Sequence, residues 1–235
     1  IAEGPRVIDD LVARTELAFV ACGPHPDYRS NLPGASSAGR AIIPEVFNGR
    51  LLGRDFARIR PPIKEYMLLG GMMVGKIDIA HLLGRWQSVH NFTHTIRLVL
   101  RYLVDRLRYA RGTRLVMGNA LIGRLYYSLK QNGIPIQFGA ALDDLIKLEG
   151  RIAGATIKTK EGILRVRTRR GVVLATGGFA HNQAMREAYM PRLGPIYSMA
   201  VTENTGDGLQ VGKRTGGALN PPTRGQGGLW TPVSR

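Results

Sequence analysis

The sequence predicts a mixed α/β (α+β) fold in which helices come first and a small sheet follows. Two helical patterns cover residues 84–111 and 118–131, since their apolar side chains recur every three or four positions. Three short strands separated by turns follow over residues 142–168, and a continuous apolar run occupies residues 172–175. This order is not a simple β-α-β repeat, and no internal repeat is visible.

The remaining elements follow from local signals. Residues 4–15 predict a short helix, residues 23–62 an irregular stretch rich in Pro, Gly, Ser and Arg, and residues 66–74 a buried turn or strand. The second long helix is expected to stop at Asn132-Gly133. The predicted strands are 134–138, a meander of 142–148, 152–159 and 163–168, and a last strand, 172–175, buried on both faces.

Composition indicates a folded, soluble protein. The chain has 235 residues, of which 44% are hydrophobic and 21% charged. Its longest apolar stretch, 66–75, is shorter than the roughly 20 residues that span a bilayer, so no integral membrane segment is predicted. Cys22 is the single cysteine, which fits a reducing cytoplasm and favours a packing role over a nucleophile.

The net charge of +16 indicates an anionic partner. The densest basic cluster is Arg165, Arg167, Arg169 and Arg170, but no known nucleic-acid-binding signature accompanies it. A basic surface with a phosphate-bearing cofactor is therefore favoured, and a nucleic-acid-binding module is the alternative. His90 and His94 have metal-ligand spacing, yet no third ligand is evident, so surface or packing histidines and no metal site are predicted.

Two glycine-rich segments carry the chemistry. The apolar run ends in Thr176-Gly177-Gly178, where missing side chains let a flat cofactor approach the backbone, although a tight turn explains them equally well. Residues 204–208 (NTGDG) precede a possible helix, 209–215. Asp207 is either the cap of that helix or an acceptor for the hydroxyls of a sugar-alcohol chain, because its charge would repel a phosphate.

The two glycine-rich segments, taken together, are specific for one protein family. ATGGF at 175–179, followed about 25 residues later by NTGDG, resembles the flavoprotein family of fumarate reductases, succinate dehydrogenases and 3-ketosteroid Δ1-dehydrogenases. Residues 117–133 and 141–154 resemble the helix and β-meander of that family, and residues 26–40 and 69–74 are more similar to its ketosteroid branch.

The resemblance implies a partial FAD-binding, Rossmann-like domain beside a helical substrate-side region. It divides the chain into a substrate-side segment (1–113), a middle part of the FAD-binding domain (114–200), and a final segment with the TGDG helix and the start of a cap domain (201–235). The resemblance implies two sets of FAD contacts. Ala141 and Leu142 are expected near the adenine. The other contacts are expected at Ala175, Thr176, Gly177, Gly178, Asn204, Thr205, Gly206 and Asp207.

Two departures from the family qualify this prediction. The strand-GxGxxG-helix that holds the FAD pyrophosphate is absent, and 225–228 has neither the preceding strand nor the spacing. The resemblance therefore implies an internal fragment that binds FAD weakly or not at all by itself. Residues 229–232 also lack the histidine that dicarboxylate-reducing members carry, which argues against fumarate or succinate as the substrate.

The function implied is that of an FAD-dependent dehydrogenase acting on a hydrophobic, ketosteroid-like substrate. A base removes a proton next to the ketone, and a hydride passes to the flavin. Tyr28 is the candidate substrate-side group, with a loop tyrosine packed on the core as the alternative. A dicarboxylate flavoprotein oxidoreductase and a non-catalytic basic nucleic-acid-binding module are the alternative functions.

Overall fold

The computed structural model describes residues 3–190, 198 and 200–219. The chain divides into two compact units, Ile1–Pro135 and Ile136–Arg235. The first contains residues 114–135, and the three-part functional division stays a prediction. In the described ranges, no helix has the length and apolar composition to cross a membrane.

Helices and short hairpins build the first unit, as the helical patterns predicted. In chain order its elements are α1 (Glu3–Arg14), β1 (Phe19–Ala21), β2 (Ile42–Pro44), β3 (Phe47–Asn48), 3-10 segments Gly49–Arg58 and Lys64–Tyr66, β4 (Met67–Leu68), β5 (Met72–Met73), α2 (Lys76–Leu83), α3 (Val89–Arg106), β6 (Arg114–Leu115) and α4 (Met117–Gln131). Three antiparallel pairs form, β1-β2, β3-β6 and β4-β5.

The long helical pattern 84–111 is shorter in the structure than predicted. Helix α3 begins after Ser88, whose hydroxyl accepts a hydrogen bond from the Asn91 amide at 3.1 Å, because such a cap satisfies a free N–H of the first turn. Helix α2, which precedes it, was not predicted. The segment 66–74 forms the hairpin β4-β5, so the predicted turn or strand is confirmed. Its burial is confirmed only in part, because Met72 and Met73 are buried whereas Leu68 and Leu69 are exposed.

The core of the first unit forms where α4 packs on β3, β6 and the first 3-10 segment. Phe47, Leu52, Phe56 and Leu115 are buried in one cluster with Ala120 of the helix. Helix α4 comes this close because Gly123 has no side chain, and a Cβ there would lie 2.8 Å from the Phe47 ring. Small residues on one helix face thus allow the sheet residues to fill the core.

A three-stranded antiparallel sheet dominates the second unit, as predicted. Strands β7 (Ala141–Leu148), β8 (Arg151–Thr159) and β9 (Gly162–Arg167) pair in the order β7-β8-β9. Glu149 and Gly150 both have positive φ, 49° and 79°, which is the backbone of a two-residue hairpin turn. Helices α5 (Gln183–Tyr189) and α6 (Asp207–Arg214) complete the described elements, and α6 confirms the helix predicted at 209–215.

Two predicted strands are wrong. Residues 134–138 and 172–175 are irregular, and the side chain of Val173 is 91% exposed. An apolar run becomes a strand only when a neighbouring strand accepts its backbone hydrogen bonds. Within the described ranges, each sheet pairs other segments, so these two have no partner.

The histidines of α3 take part in packing and hydrogen bonding. His94 Nε2 lies 3.0 Å from Asp78 Oδ1, and its ring stacks on that of His81 at 4.3 Å. In the part of the chain that the structure describes, no cluster of three or more His, Cys, Asp or Glu could hold a metal ion.

Asp78 is expected to make stability depend on acid pH. Burial raises the pKa of Asp78, but the Gly75 amide (2.7 Å), His94 and Arg114 (2.7 Å) outweigh it, so the pKa lies below 3.8. A lowered pKa means that the carboxylate stabilises the fold above about pH 4 and that this stability is lost as the pH falls through the lowered value. Asp78→Asn should therefore cost about 1–3 kcal/mol at pH 7 and less below pH 3.8.

Urea denaturation from pH 2.5 to 7 measures this dependence. The exposed Asp9 of α1 offers the control, Asp9→Asn, whose effect should stay within about 0.5 kcal/mol throughout. An Asp78→Asn deficit that does not shrink in acid contradicts the prediction.

Candidate cofactor-binding site

The two glycine-rich segments meet in the second unit. The Gly206 amide donates a hydrogen bond to the Gly178 carbonyl at 3.0 Å, and the His181 amide donates to the Asn204 carbonyl at 2.9 Å. Segments that are about 25 residues apart therefore form one double loop, defined here as residues 175–179 and 204–208.

The double loop closes only because three of its positions lack a side chain. A Cβ on Gly177 would collide with the Asn204 amide group, and one on Gly208 would collide with Thr176. Gly206 has φ +79°, and its Cβ would lie 2.9 Å from Phe179 Cβ. These glycines therefore permit the close approach of two backbones, whether or not a cofactor binds.

Helix α5 anchors the double loop from outside. Asn182 caps this helix, since its side-chain oxygen accepts from the Met185 amide at 3.0 Å. Its side-chain amide donates to the Thr205 carbonyl at 2.8 Å, and Met185 is buried. Asn182 was not among the predicted site residues, although an Asn directly before a helix is a helix-start signal.

Asp207 is the first residue of α6 and is exposed. The residue before it, Gly206, takes the cap position in a left-handed conformation, so the alternative in which Asp207 caps the helix is wrong by one residue. Thr205 Oγ1 donates to Asp207 Oδ1 at 2.9 Å. In the described ranges, Asp207 Oδ2 accepts no hydrogen bond, so it is available to a ligand hydroxyl.

The residues of the double loop fit a cofactor that is recognised through the backbone. The N–H groups of 175–179 donate no hydrogen bond to any described residue, and positions 175–178 are exposed. Free donors beside glycines, with a carboxylate close by, suit an extended ligand that carries carbonyl and hydroxyl groups. This donor set agrees with the chemistry of FAD.

Ala141 and Leu142 lie away from the double loop, at the start of β7. The opposite end of α6 contacts this strand, where Arg214 Nη2 donates to the Asp143 carbonyl at 3.0 Å. Eight helical residues span about 12 Å. The structure therefore places the two predicted sets of FAD contacts near opposite ends of one helix.

Tyr28 lies in the first unit, on the loop between β1 and β2, and its side chain is 85% exposed. The preceding residue organises the loop: Asp27 Oδ2 accepts from the Ser36 amide at 2.9 Å and from Arg40 at 2.8 Å. Tyr28 is thus held at the surface of an ordered loop, which does not match the alternative of a tyrosine packed on the core.

Gly206→Ala is expected to open the double loop. The left-handed φ costs a residue with a Cβ about 1–2 kcal/mol, and the overlap with Phe179 adds to it, so the loss of unfolding free energy should be about 2–3 kcal/mol. Gly212→Ala in the same helix is the matched control, because its Cβ would have only an ordinary contact, 3.7 Å from Leu174. Thermal denaturation of both variants measures the difference, and equal effects contradict the prediction.

Comparison with known proteins identifies the family. The sequence profile described as "FAD binding domain" matches residues 1–233. The chain belongs to this FAD-binding domain family. The predicted flavoprotein family and its cofactor, FAD, are therefore confirmed. The segments 225–228 and 229–232, in which the sequence departs from the family, lie outside the described residues.

Several relatives of this FAD-binding domain are dehydrogenases. The chain is 30% identical to a 3-oxosteroid 1-dehydrogenase of Mycobacterium tuberculosis over 92% of its length, and 30% identical to a 4-oxocyclohex-2-ene-1-carboxylate 5-dehydrogenase of Sinomonas cyclohexanicum over 98%. It covers 39% of each relative.

A solved relative supports the same branch. A 3-ketosteroid delta1-dehydrogenase from Sterolibacterium denitrificans, in complex with 1,4-androstadiene-3,17-dione, matches 92% of this chain with a TM-score of 0.78 and 29% identity. The chain covers 40% of that structure. The similarity to the ketosteroid-dehydrogenase branch, predicted from residues 26–40 and 69–74, is thereby confirmed.

Proposed function

We propose that the gene product containing this chain is an FAD-dependent dehydrogenase that introduces a C=C bond next to a ring ketone. The observation that carries the proposal is the double loop, in which residues 175–178 have free backbone donors and are exposed, as is Asp207. Membership of the FAD-binding domain family identifies FAD as the cofactor.

The ring-ketone substrate class rests on the names of the relatives. The dehydrogenases from Mycobacterium tuberculosis and Sinomonas cyclohexanicum both carry an oxo-substituted ring in the names of their substrates. The solved relative binds a steroid dione. A hydrophobic, ketosteroid-like compound is therefore the substrate class that we propose for this protein.

The residues of this chain have two proposed roles. Thr176, Gly177, Gly178 and the other double-loop positions hold FAD through backbone groups, Asp207 accepts from its sugar-alcohol hydroxyls, and Ala141 and Leu142 contact its adenine side. Bound FAD supplies a hydride acceptor. The hydroxyl of Tyr28 either removes a proton from the carbon next to the ketone or donates a hydrogen bond to the ketone oxygen.

Purified full-length gene product tests this function. It should be yellow with bound flavin and should dehydrogenate a 3-ketosteroid in the presence of an artificial electron acceptor. Fumarate should not be turned over, and turnover of fumarate alone contradicts the proposal. A colourless protein that retains DNA in a salt-dependent manner would instead support the basic binding module.

A further inference from the structure

A cavity of about 580 Å³ lies in the first unit, far along the chain from the double loop. It opens beside the 3-10 segment Gly49–Arg58 and the residues that follow α3. Its apolar wall includes Phe56, Ile59, Pro61, Met67 and Tyr109. A volume of this size is within the usual range for small-molecule sites.

The charged residues in the wall of this cavity are all arginines, namely Arg54, Arg108 and Arg111. None of the lining residues that the structure describes carries a carboxylate. Among the described residues, none of the three guanidinium groups has an ion-pair partner. Three cations, with no carboxylate among the described lining residues, make the wall of the cavity electropositive.

Arg111 is the unusual member of this set because it is only 8% exposed. Its Nη2 donates to the Ile59 carbonyl at 2.9 Å, and its guanidinium lies 4.6 Å from the centre of the Phe56 ring. Its Nη1 is buried and has no hydrogen-bond partner among the described residues. Burial alone lowers the pKa of Arg111, in agreement with the lack of a carboxylate beside it.

A buried charge without a counter-ion is costly, and buried charges in proteins are normally paired. We propose that the cavity binds a small carboxylate with an apolar body. The guanidinium groups of Arg111, Arg54 and Arg108 would pair with the carboxylate, since a planar guanidinium matches its geometry. The body would lie on Phe56, Ile59 and the other apolar side chains of the wall.

The shape of the cavity favours this ligand over two others. A single Asp or Glu side chain is much smaller than about 580 Å³ and would leave most of the apolar wall uncovered. An inorganic anion would likewise leave Phe56 and Met67 without a partner. A carboxylate attached to a ring or to a short hydrocarbon would pair with the arginines of the wall and would also cover its apolar side chains.

Isothermal titration of the 235-residue chain tests the site. The probe is 1-naphthaleneacetate, and its neutral isostere, 1-naphthaleneacetamide, isolates the contribution of the charge. The carboxylate should bind about tenfold or more tightly than the amide, which corresponds to one charge-assisted hydrogen bond. Inorganic phosphate should bind more weakly than the carboxylate because it lacks the apolar body.

Variants locate the site. Arg111→Met should weaken binding of the carboxylate about tenfold or more while leaving binding of the amide nearly unchanged. Arg54→Ala and Arg108→Ala keep the test valid if Arg111→Met does not fold, since both residues are exposed, and each should weaken binding severalfold. Arg97→Ala on the exposed face of α3 is the matched control and should change nothing.

Three results would overturn the proposal. These are equal affinities for the carboxylate and the amide, affinities that the Arg54 and Arg108 variants do not change, and no binding of the carboxylate at millimolar concentration. The last result would show that the cavity does not take a free apolar carboxylate.

Discussion

Tyr28→Phe is expected to lower kcat/KM of the full-length gene product about 100-fold or more. A positioned acid or base contributes a factor of about 10²–10⁴ to the rate. Phenylalanine keeps the aromatic ring of Tyr28 but lacks the hydroxyl that would transfer the proton. The structure is suited to this role because Asp27 organises the loop through Ser36 and Arg40 while the Tyr28 side chain is 85% exposed. No described residue has to be displaced before its hydroxyl can meet a substrate.

Steady-state kinetics with a 3-ketosteroid measure the effect, and the flavin spectrum should be unchanged. Tyr66→Phe is the matched control, since Tyr66 is also exposed and its substitution should leave kcat/KM within about twofold. Wild-type turnover by Tyr28→Phe would show that another group carries the proton. Loss of flavin in this variant would show that Tyr28 supports cofactor binding instead.

Asp105→Ala should cause the largest loss of stability among the substitutions considered, about 3–5 kcal/mol. The Asp105 side chain is 1% exposed and accepts from the Thr113 amide at 2.7 Å, from Thr113 Oγ1 at 2.8 Å and from Arg50 Nε at 2.8 Å. Thr113 is fully buried, so its amide and hydroxyl would lose their acceptor without gaining water.

Urea denaturation at pH 7 measures this loss. Arg50→Met should cost less than Asp105→Ala, because Arg50 is partly exposed and the two Thr113 bonds remain. Asp9→Ala on the surface of α1 is the control and should stay within about 0.5 kcal/mol. If Arg50→Met and Asp105→Ala cost the same, the ion pair and not the Thr113 network dominates.

The candidate site could be predicted in part because glycine permits a positive φ and a close approach of two segments that other residues do not. Gly177 and Gly206 stand where φ is positive and where a Cβ would collide with the other loop, so their identity reports the geometry directly. The role of Asn182 was not predicted, since capping α5 and holding Thr205 together require two segments to meet. The arginine cavity was not predicted either, because Arg54 and Arg111 are distant in sequence.

By itself, the sequence determined the elements whose signals are local, and it determined the family. The helix α4, the hairpin turn at Glu149-Gly150 and the meander all follow from periodicity and turn residues within a few positions of each other. The tertiary structure alone decided which apolar runs become strands. Residues 134–138 and 172–175 have strand composition, but a strand requires hydrogen bonds to a neighbour, and the described sheets do not provide one.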